Sequence, residues 1–287
     1  MTDEQEHERV RPSGVWATAV GVARVRALET ERKNALFRDP LAQAFATAGG
    51  LGPGAVSSPP PGDEAARRRR LGVAFSIVIR TKFLDDLLRH AVASGIRQVV
   101  LLGAGMDSRA FRMNWPAGTR LFEVDTAEPL DFKASVLHQE RAVARCERIT
   151  VPVDLRADWP GALTAAGHDP AVPTVWIAEG LLIYLPEDAV EQLLARISAR
   201  SAAGSRMGLT LGSRGVIERF GADAAPGSAA SMWVSEMPDD PVGWLAGHDW
   251  EADSHTLRER AAAYGRPIST PPQREERPGG LISAVRR

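Results

Sequence analysis

The segment Gly103-Ala104-Gly105-Met106-Asp107-Ser108-Arg109 directly follows the apolar run Gln98–Leu102. Glycines at the end of a buried strand let the backbone turn sharply and let a ligand approach where a Cβ would stand. In an open α/β sheet such a turn lies at the carboxyl end of the strands, where ligands bind. The pattern is Gly-x-Gly with Ser108 where a third glycine would sit, so alone it also fits a tight turn with no ligand. Asp125 ends the run Arg120–Val124, 20 residues after Gly105. A carboxylate there can accept hydrogen bonds from both ribose hydroxyls of an adenosine, or it can simply cap the next turn. Together Gly103, Gly105 and Asp125 point to an adenosine cofactor without saying which.

Two features separate the candidate cofactors. A dinucleotide needs a helix N-terminus free to receive pyrophosphate, and Asp107 in the turn would repel it. S-adenosylmethionine carries no phosphate; its ammonium, carboxylate and sulfonium suit a site with carboxylates. A typical dinucleotide fold also has no need of the antiparallel pair expected at the end of this chain. An NAD-dependent oxidoreductase stays the alternative from another enzyme class, and a cofactor-binding module without turnover the non-enzymatic one. Further along, Asp154-Leu155 follows the third strand, where a carboxylate beside an apolar residue can bond the adenine amino group and pack on the ring. Asp154 as a helix N-cap fits the dipeptide equally. Glu179 follows the fourth strand, facing the expected position of the reactive methyl, with Tyr184 within reach of an acceptor or serving as a packed ring.

Methyl transfer displaces a leaving group already activated by charge, so the protein mainly positions the reactants and excludes water. A carboxylate acceptor is ionised at neutral pH and needs no base; a hydroxyl or phenol does. His138, His168, His248 and His255 are the histidines that could serve, with His248, in an aromatic-rich stretch, the first candidate. Trp233 and Trp244 in that stretch, with Glu179, could wall an aromatic acceptor such as an indole for C- or N-methylation.

These residues need a scaffold. Strands are expected at Gln98–Leu102, Arg120–Val124, Arg148–Val153, Thr174–Ala178 and Met207–Leu211, alternating with helical patterns at about 128–145, 158–167 and 186–203. That alternation means a parallel sheet with helices on both faces, an α/β Rossmann-like fold. Arg266–Ser269 and Gly280–Val285, joined without a helix, should pair antiparallel. Upstream, helices are expected from Trp16 to Glu31, from about Pro40 to Thr47 with Asp39 as N-cap, and from Asp63 to about Ser94, closed by Gly95. Residues 49–62, with five glycines and four prolines, read as a loop. Residues 212–256 fit no strand–helix unit and read as a lid or an irregular insert.

Composition sets outer limits. The 287 residues are 44% hydrophobic and 25% charged, with 35 Lys and Arg against 36 Asp and Glu. That balance gives no global field for nucleic acid or an anionic membrane. The run Arg67-Arg68-Arg69-Arg70 reads as a solvated helix face. The lone Cys146 excludes an intrachain disulfide. With a polar N-terminus and no stretch near the ~18 apolar residues of a membrane span, the expectation is a cytoplasmic protein with a small-molecule partner.

The sequence resembles the leucine carboxyl methyltransferase family, including its bacterial branch with polyketide O-methyltransferases. The matching stretches are Thr18–Pro40 (TAVGVARVRALETERKNALFRDP), Arg80–Asp86 (RTKFLDD), Gln98–Arg112 (QVVLLGAGMDSRAFR), Phe122–Asp125 (FEVD), Asp154-Leu155, Ala178–Pro186 and Gly279–Arg287. They lie in order across nearly the whole chain. The resemblance implies a class I methyltransferase sheet of seven strands over 95–287, an N-terminal helical cap over 1–94, S-adenosylmethionine as cofactor, and O-methylation in specialised metabolism. It also implies that Arg80 pairs with the methionyl carboxylate, that Gly103 and Gly105 let the methionyl part pass, that Asp125 holds the ribose, and that Asp154 with Leu155 holds the adenine. Glu179 would close the cofactor pocket. From the residues alone, Arg80 is one more helix charge. The 212–256 stretch has no counterpart in the resemblance, so acceptor choice is expected there.

Overall fold

A computed structural model describes residues 14–52, 63–212, 232–235, 238–268 and 280–287, with Arg69 described by its backbone only. Three helices lead: α1 (Gly14–Thr30), α2 (Ala42–Ala48) and α3 (Glu64–Ala93). Asp63 caps α3 by accepting from the Ala66 N–H at 2.8 Å, and Gly95 ends it with φ +104°, a conformation that suits glycine. Strands and helices then alternate: β1 (Gln98–Leu102), α4 (Arg109–Arg112), β2 (Arg120–Asp125), α5 (Ala127–Gln139), β3 (Glu147–Pro152), α6 (Trp159–Ala165), β4 (Thr174–Ala178), a 3-10 turn (Leu182–Tyr184), α7 (Glu187–Ser198) and β5 (Arg206–Thr210). The chain closes with α8 (Pro241–Ala246), β6 (Trp250–His255), α9 (Leu257–Ala263) and β7 (Leu281–Arg286).

Among the described residues, seven strands form one sheet in the order β3-β2-β1-β4-β5-β7-β6. Neighbours from β3 to β5 are parallel, and β7 runs antiparallel to both β5 and β6. The chain builds outward from β1 to β3, then returns to start β4 on the other side of β1. That reversal opens a crevice between the carboxyl ends of β1 and β4, the usual ligand position in such sheets.

Side chains alternate across each strand and feed two cores. Val99, Leu101, Val175 and Ile177 join Ala23, Phe45, Ile79, Leu84 and Leu88 from α1–α3. Val100, Leu102, Phe122, Trp176 and Met207 join Trp159, Leu193, Leu194 and Leu245 from α6–α8 on the other face. The leading helices therefore share a core with the sheet.

Two expectations are corrected. Residues 266–268 form no strand, and Ser269 lies outside the described residues. The partner of β7 is β6, inside the stretch read as an insert, with Trp250 fully buried in the core. The sequence Trp-Glu-Ala-Asp-Ser-His lacks the β-branched residues that mark strands; as an edge strand it buries little. Asp39 is not the N-cap of α2, which starts after Leu41. Its side chain, 0% exposed, instead pairs with Arg26 at 2.9 Å.

Candidate active site

The turn after β1 is tied to β2 twice. The Gly103 N–H donates to the Val124 carbonyl at 2.9 Å, and the Gly105 N–H donates to Asp125 Oδ2 at 2.7 Å. Asp125 Oδ1 accepts from the Thr126 N–H at 2.8 Å. The two strongest sequence signals are thus joined by one hydrogen bond. Each Asp125 oxygen keeps a further acceptor position, and the side chain is half-buried. Burial pushes its carboxyl above the usual range, against the two backbone donors. Gly103 and Gly105 have φ +63° and +42°. A Cβ on Gly103 would stand 2.9 Å from Leu181 Cδ1, and one on Gly105 2.9 Å from Ala19 Cβ. Glycine is required at both by backbone and by space.

Glu179, at the end of β4, lies across the crevice. Its Oε1 accepts from Arg80 Nε and Thr81 Oγ1, both at 3.1 Å. Its Oε2 accepts from Arg109 Nη2 at 2.8 Å. Burial alone would raise this carboxyl; Arg109, then Arg80, outweigh it and hold it low. The Arg80 guanidinium lies over Gly180, where a Cβ would fall 3.0–3.2 Å from its terminal atoms. Its two Nη groups make no hydrogen bond among the described residues.

Behind Glu179 stands a buried ion network that sequence reasoning missed. Arg109, 1% exposed, also pairs through Nε with Asp85 at 2.8 Å and through Nη1 with Asp107. Arg112 grips Asp85 with two nitrogens at 2.6 and 2.7 Å. Arg26 joins Asp39 to the Met106 carbonyl. Asp85 lies below the usual carboxylate range because Arg112 and Arg109 overcome its burial. The signal was present in α3: Val78, Thr81, Asp85 and Leu88 share one helical face, and two polar residues on an apolar stripe call for buried partners.

Tyr184 reaches α1, and Trp233 adjoins a residue bonded to the 3-10 turn. The Tyr184 hydroxyl donates to Thr18 Oγ1 of α1 at 3.4 Å. Val234, next to Trp233, donates its N–H to the Ile183 carbonyl at 2.8 Å. Asp154 and Leu155 follow β3, and the Val153 N–H donates to the Asp125 carbonyl at 2.8 Å. Asp154 also holds the backbone and guanidinium of Arg156, and Leu155 packs against the core. Asp107 at the turn and a following helix of four residues offer no seat for a pyrophosphate.

His248 and Trp244 are not brought to this site. His248 precedes β6, at the amino end of a strand parallel to β5. Its Nε2 meets Glu191 Oε2 at 3.1 Å, and Trp244 Nε1 donates to the same carboxylate. His90, His138 and His168 also lie at the amino-end side of the sheet. His255 ends β6, three strands from β4; its ring packs edge-on against Phe83 of α3 at 5.5 Å between centroids and its nitrogens meet Arg260.

Residues 213–231 and 236–237, in the expected lid, lie outside the described residues. No helix is long and apolar enough to cross a membrane, and no metal-binding cluster is present, both among the described residues.

Residues 19–198 match the sequence model of the leucine carboxyl methyltransferase family. A Streptomyces avermitilis protein provisionally named an S-adenosyl-L-methionine-dependent methyltransferase is 90% identical over 100% of both chains. A Rhodococcus jostii protein of the same provisional name is 42% identical over 91% of each chain. Among solved structures, a duf574 family protein from Streptomyces avermitilis aligns with TM-score 0.53 at 13% identity, covering 92% of this chain and 96% of that one. A Thermobifida fusca protein, provisionally described as a methyltransferase, aligns with TM-score 0.51 at 16% identity, covering 96% and 95%. At such identities these two structures speak for the fold alone.

Proposed function

The chain belongs to the leucine carboxyl methyltransferase family, and from that premise we propose that it O-methylates the carboxylate of a small organic acid in specialised metabolism. It is an S-adenosylmethionine-dependent methyltransferase. The residues at the crevice fit that cofactor. Asp125 would accept from the ribose hydroxyls, and Arg80 would meet the methionyl carboxylate with its two Nη groups. Gly103 and Gly105 would leave the methionyl part its path, and Asp154 with Leu155 would border the adenine. Bound there, S-adenosylmethionine supplies a methyl group on a sulfonium carbon that needs no further activation. The chain orients the acceptor, excludes water and holds its own charges still.

One observation carries the choice of acceptor: both oxygens of Glu179 are committed to cations and a hydroxyl. Such a carboxylate is a poor base, and among the described residues no histidine is bonded to it. A site without a base suits an acceptor that is already ionised, and a carboxylate is ionised at neutral pH. The acceptor would enter beside Tyr184 and Thr18, with Trp233 on the rim.

The test is a panel of small carboxylic acids, phenols and indoles incubated with methyl-labelled cofactor. Label released as methanol by mild alkali, from acids alone, supports the reading. Alkali-stable label on oxygen, nitrogen or carbon overturns carboxyl methylation.

A further inference from the structure

Arg80 reaches the crevice in an unusual way. It pairs with Glu179 through Nε at 3.1 Å, whereas guanidinium–carboxylate pairs commonly close as a two-bond fork. A fork between these two side chains would occupy at least one of the Nη groups. Glu179 is kept from forming it because its Oε2 belongs to Arg109 at 2.8 Å and its Oε1 is shared with Thr81 at 3.1 Å. Arg109 is itself held on two further sides: it is 1% exposed, with Asp85 on Nε and Asp107 on Nη1, and Asp85 is held in turn by Arg112. Thr81, 1% exposed, is one residue along α3 from Arg80.

We propose that Arg109, assisted by Thr81, is a positioning residue that draws Glu179 aside so that the Nη edge of Arg80 stays open for the cofactor's carboxylate. The inference rests on Arg80 as the carboxylate's partner. An anchor at Nε fixes the guanidinium plane, which lowers the ordering cost of binding. With that anchor in place, the two Nη donors face the ligand as a preformed fork. Without Arg109, Glu179 is released to close on Arg80 and becomes an internal competitor for the same donors.

The experiment compares two ligands by isothermal titration. S-adenosylhomocysteine has the amino-acid tail; 5′-methylthioadenosine shares its adenosine and sulfur but has no carboxylate or ammonium. In Arg109→Lys, S-adenosylhomocysteine is expected to bind about tenfold more weakly, the scale of one charged hydrogen bond, with 5′-methylthioadenosine unchanged. Thr81→Val, which removes one hydroxyl and little volume, should show the same selectivity at about threefold, and it keeps the test usable if Arg109→Lys does not fold. Equal weakening of both ligands means a merely structural role and overturns the proposal. Unchanged S-adenosylhomocysteine binding overturns it as well. If the wild-type chain binds neither compound, the cofactor reading fails and takes the proposal with it.

Discussion

Replacing Glu179 by Gln separates an anchor from a base. Glu179 is 12% exposed at its side chain and receives three donors, at 2.8, 3.1 and 3.1 Å. Removing one member of a buried ion pair costs about 3–5 kcal/mol, because the partner's charge is left behind. Two terms reduce that figure here. Gln keeps the size and one acceptor oxygen, and Arg80 is 21% exposed and can turn to water. Against them, the new NH2 must face a donor. The expected loss is about 2–3 kcal/mol of folding stability, read from urea unfolding followed by tryptophan fluorescence. The pH dependence has a definite sign. Arg109, then Arg80, outweigh burial and hold the Glu179 carboxyl below its unfolded value of 4.5. Its contribution is therefore present above that value and is lost as pH falls through the folded one, so wild type and Glu179→Gln should converge in acid. The pH–rate profile should keep its shape in the variant. A stability change under about 1 kcal/mol, joined to loss of an acid-side limb in which the wild-type rate rises with pH, would refute the anchor role and make Glu179 the base.

Further outcomes are expected elsewhere. Asp125→Ala should weaken S-adenosylhomocysteine binding by about 1–3 kcal/mol, roughly 5- to 150-fold; unchanged affinity by calorimetry would contradict the ribose assignment. Gly105→Ala should lower stability by at least about 1–2 kcal/mol from its left-handed φ alone, with the contact to Ala19 adding more; adding Ala19→Gly should recover the contact part and not the backbone part in thermal melts. Burial, then Arg200, lowers the buried His168 from 6.5 to about 4, so it is neutral in the fold and protonated first when unfolded. Stability should then fall by about 3 kcal/mol at most as pH drops from 7 to 4, and denaturation curves of His168→Gln should show a flatter dependence; an equal slope in both proteins would rule this out.

The parts of the site that were legible in the sequence are those fixed by local grammar. A strand followed by Gly-x-Gly, and an acidic residue ending the next strand, are adjacent in a parallel sheet whatever the rest of the chain does. Gly105 and Asp125 accordingly meet in a 2.7 Å hydrogen bond. Glu179 was readable as a crevice residue for the same reason, but its partners were not. Arg109 and Arg80 lie 70 and 99 residues from it, and no local pattern encodes such a pairing. Asp39 was misread as a helix cap because the energetic demand of Arg26, buried beside it, is invisible from the dipeptide Asp-Pro. His248 drew attention through its aromatic neighbours, yet chain direction decides which end of the sheet a residue occupies, and that required knowing that Trp250–His255 is a strand. An edge strand rich in polar residues gives the weakest periodic signal, so the error at β6 and the error at His248 have one origin.

The most direct test is a crystal structure of the chain with S-adenosylhomocysteine. The account predicts both ribose hydroxyls within hydrogen-bonding distance of the Asp125 carboxylate, and the ligand carboxylate on the two Nη groups of Arg80. A nucleoside bound away from the carboxyl ends of β1 and β2, or one that leaves Asp125 untouched, would contradict it.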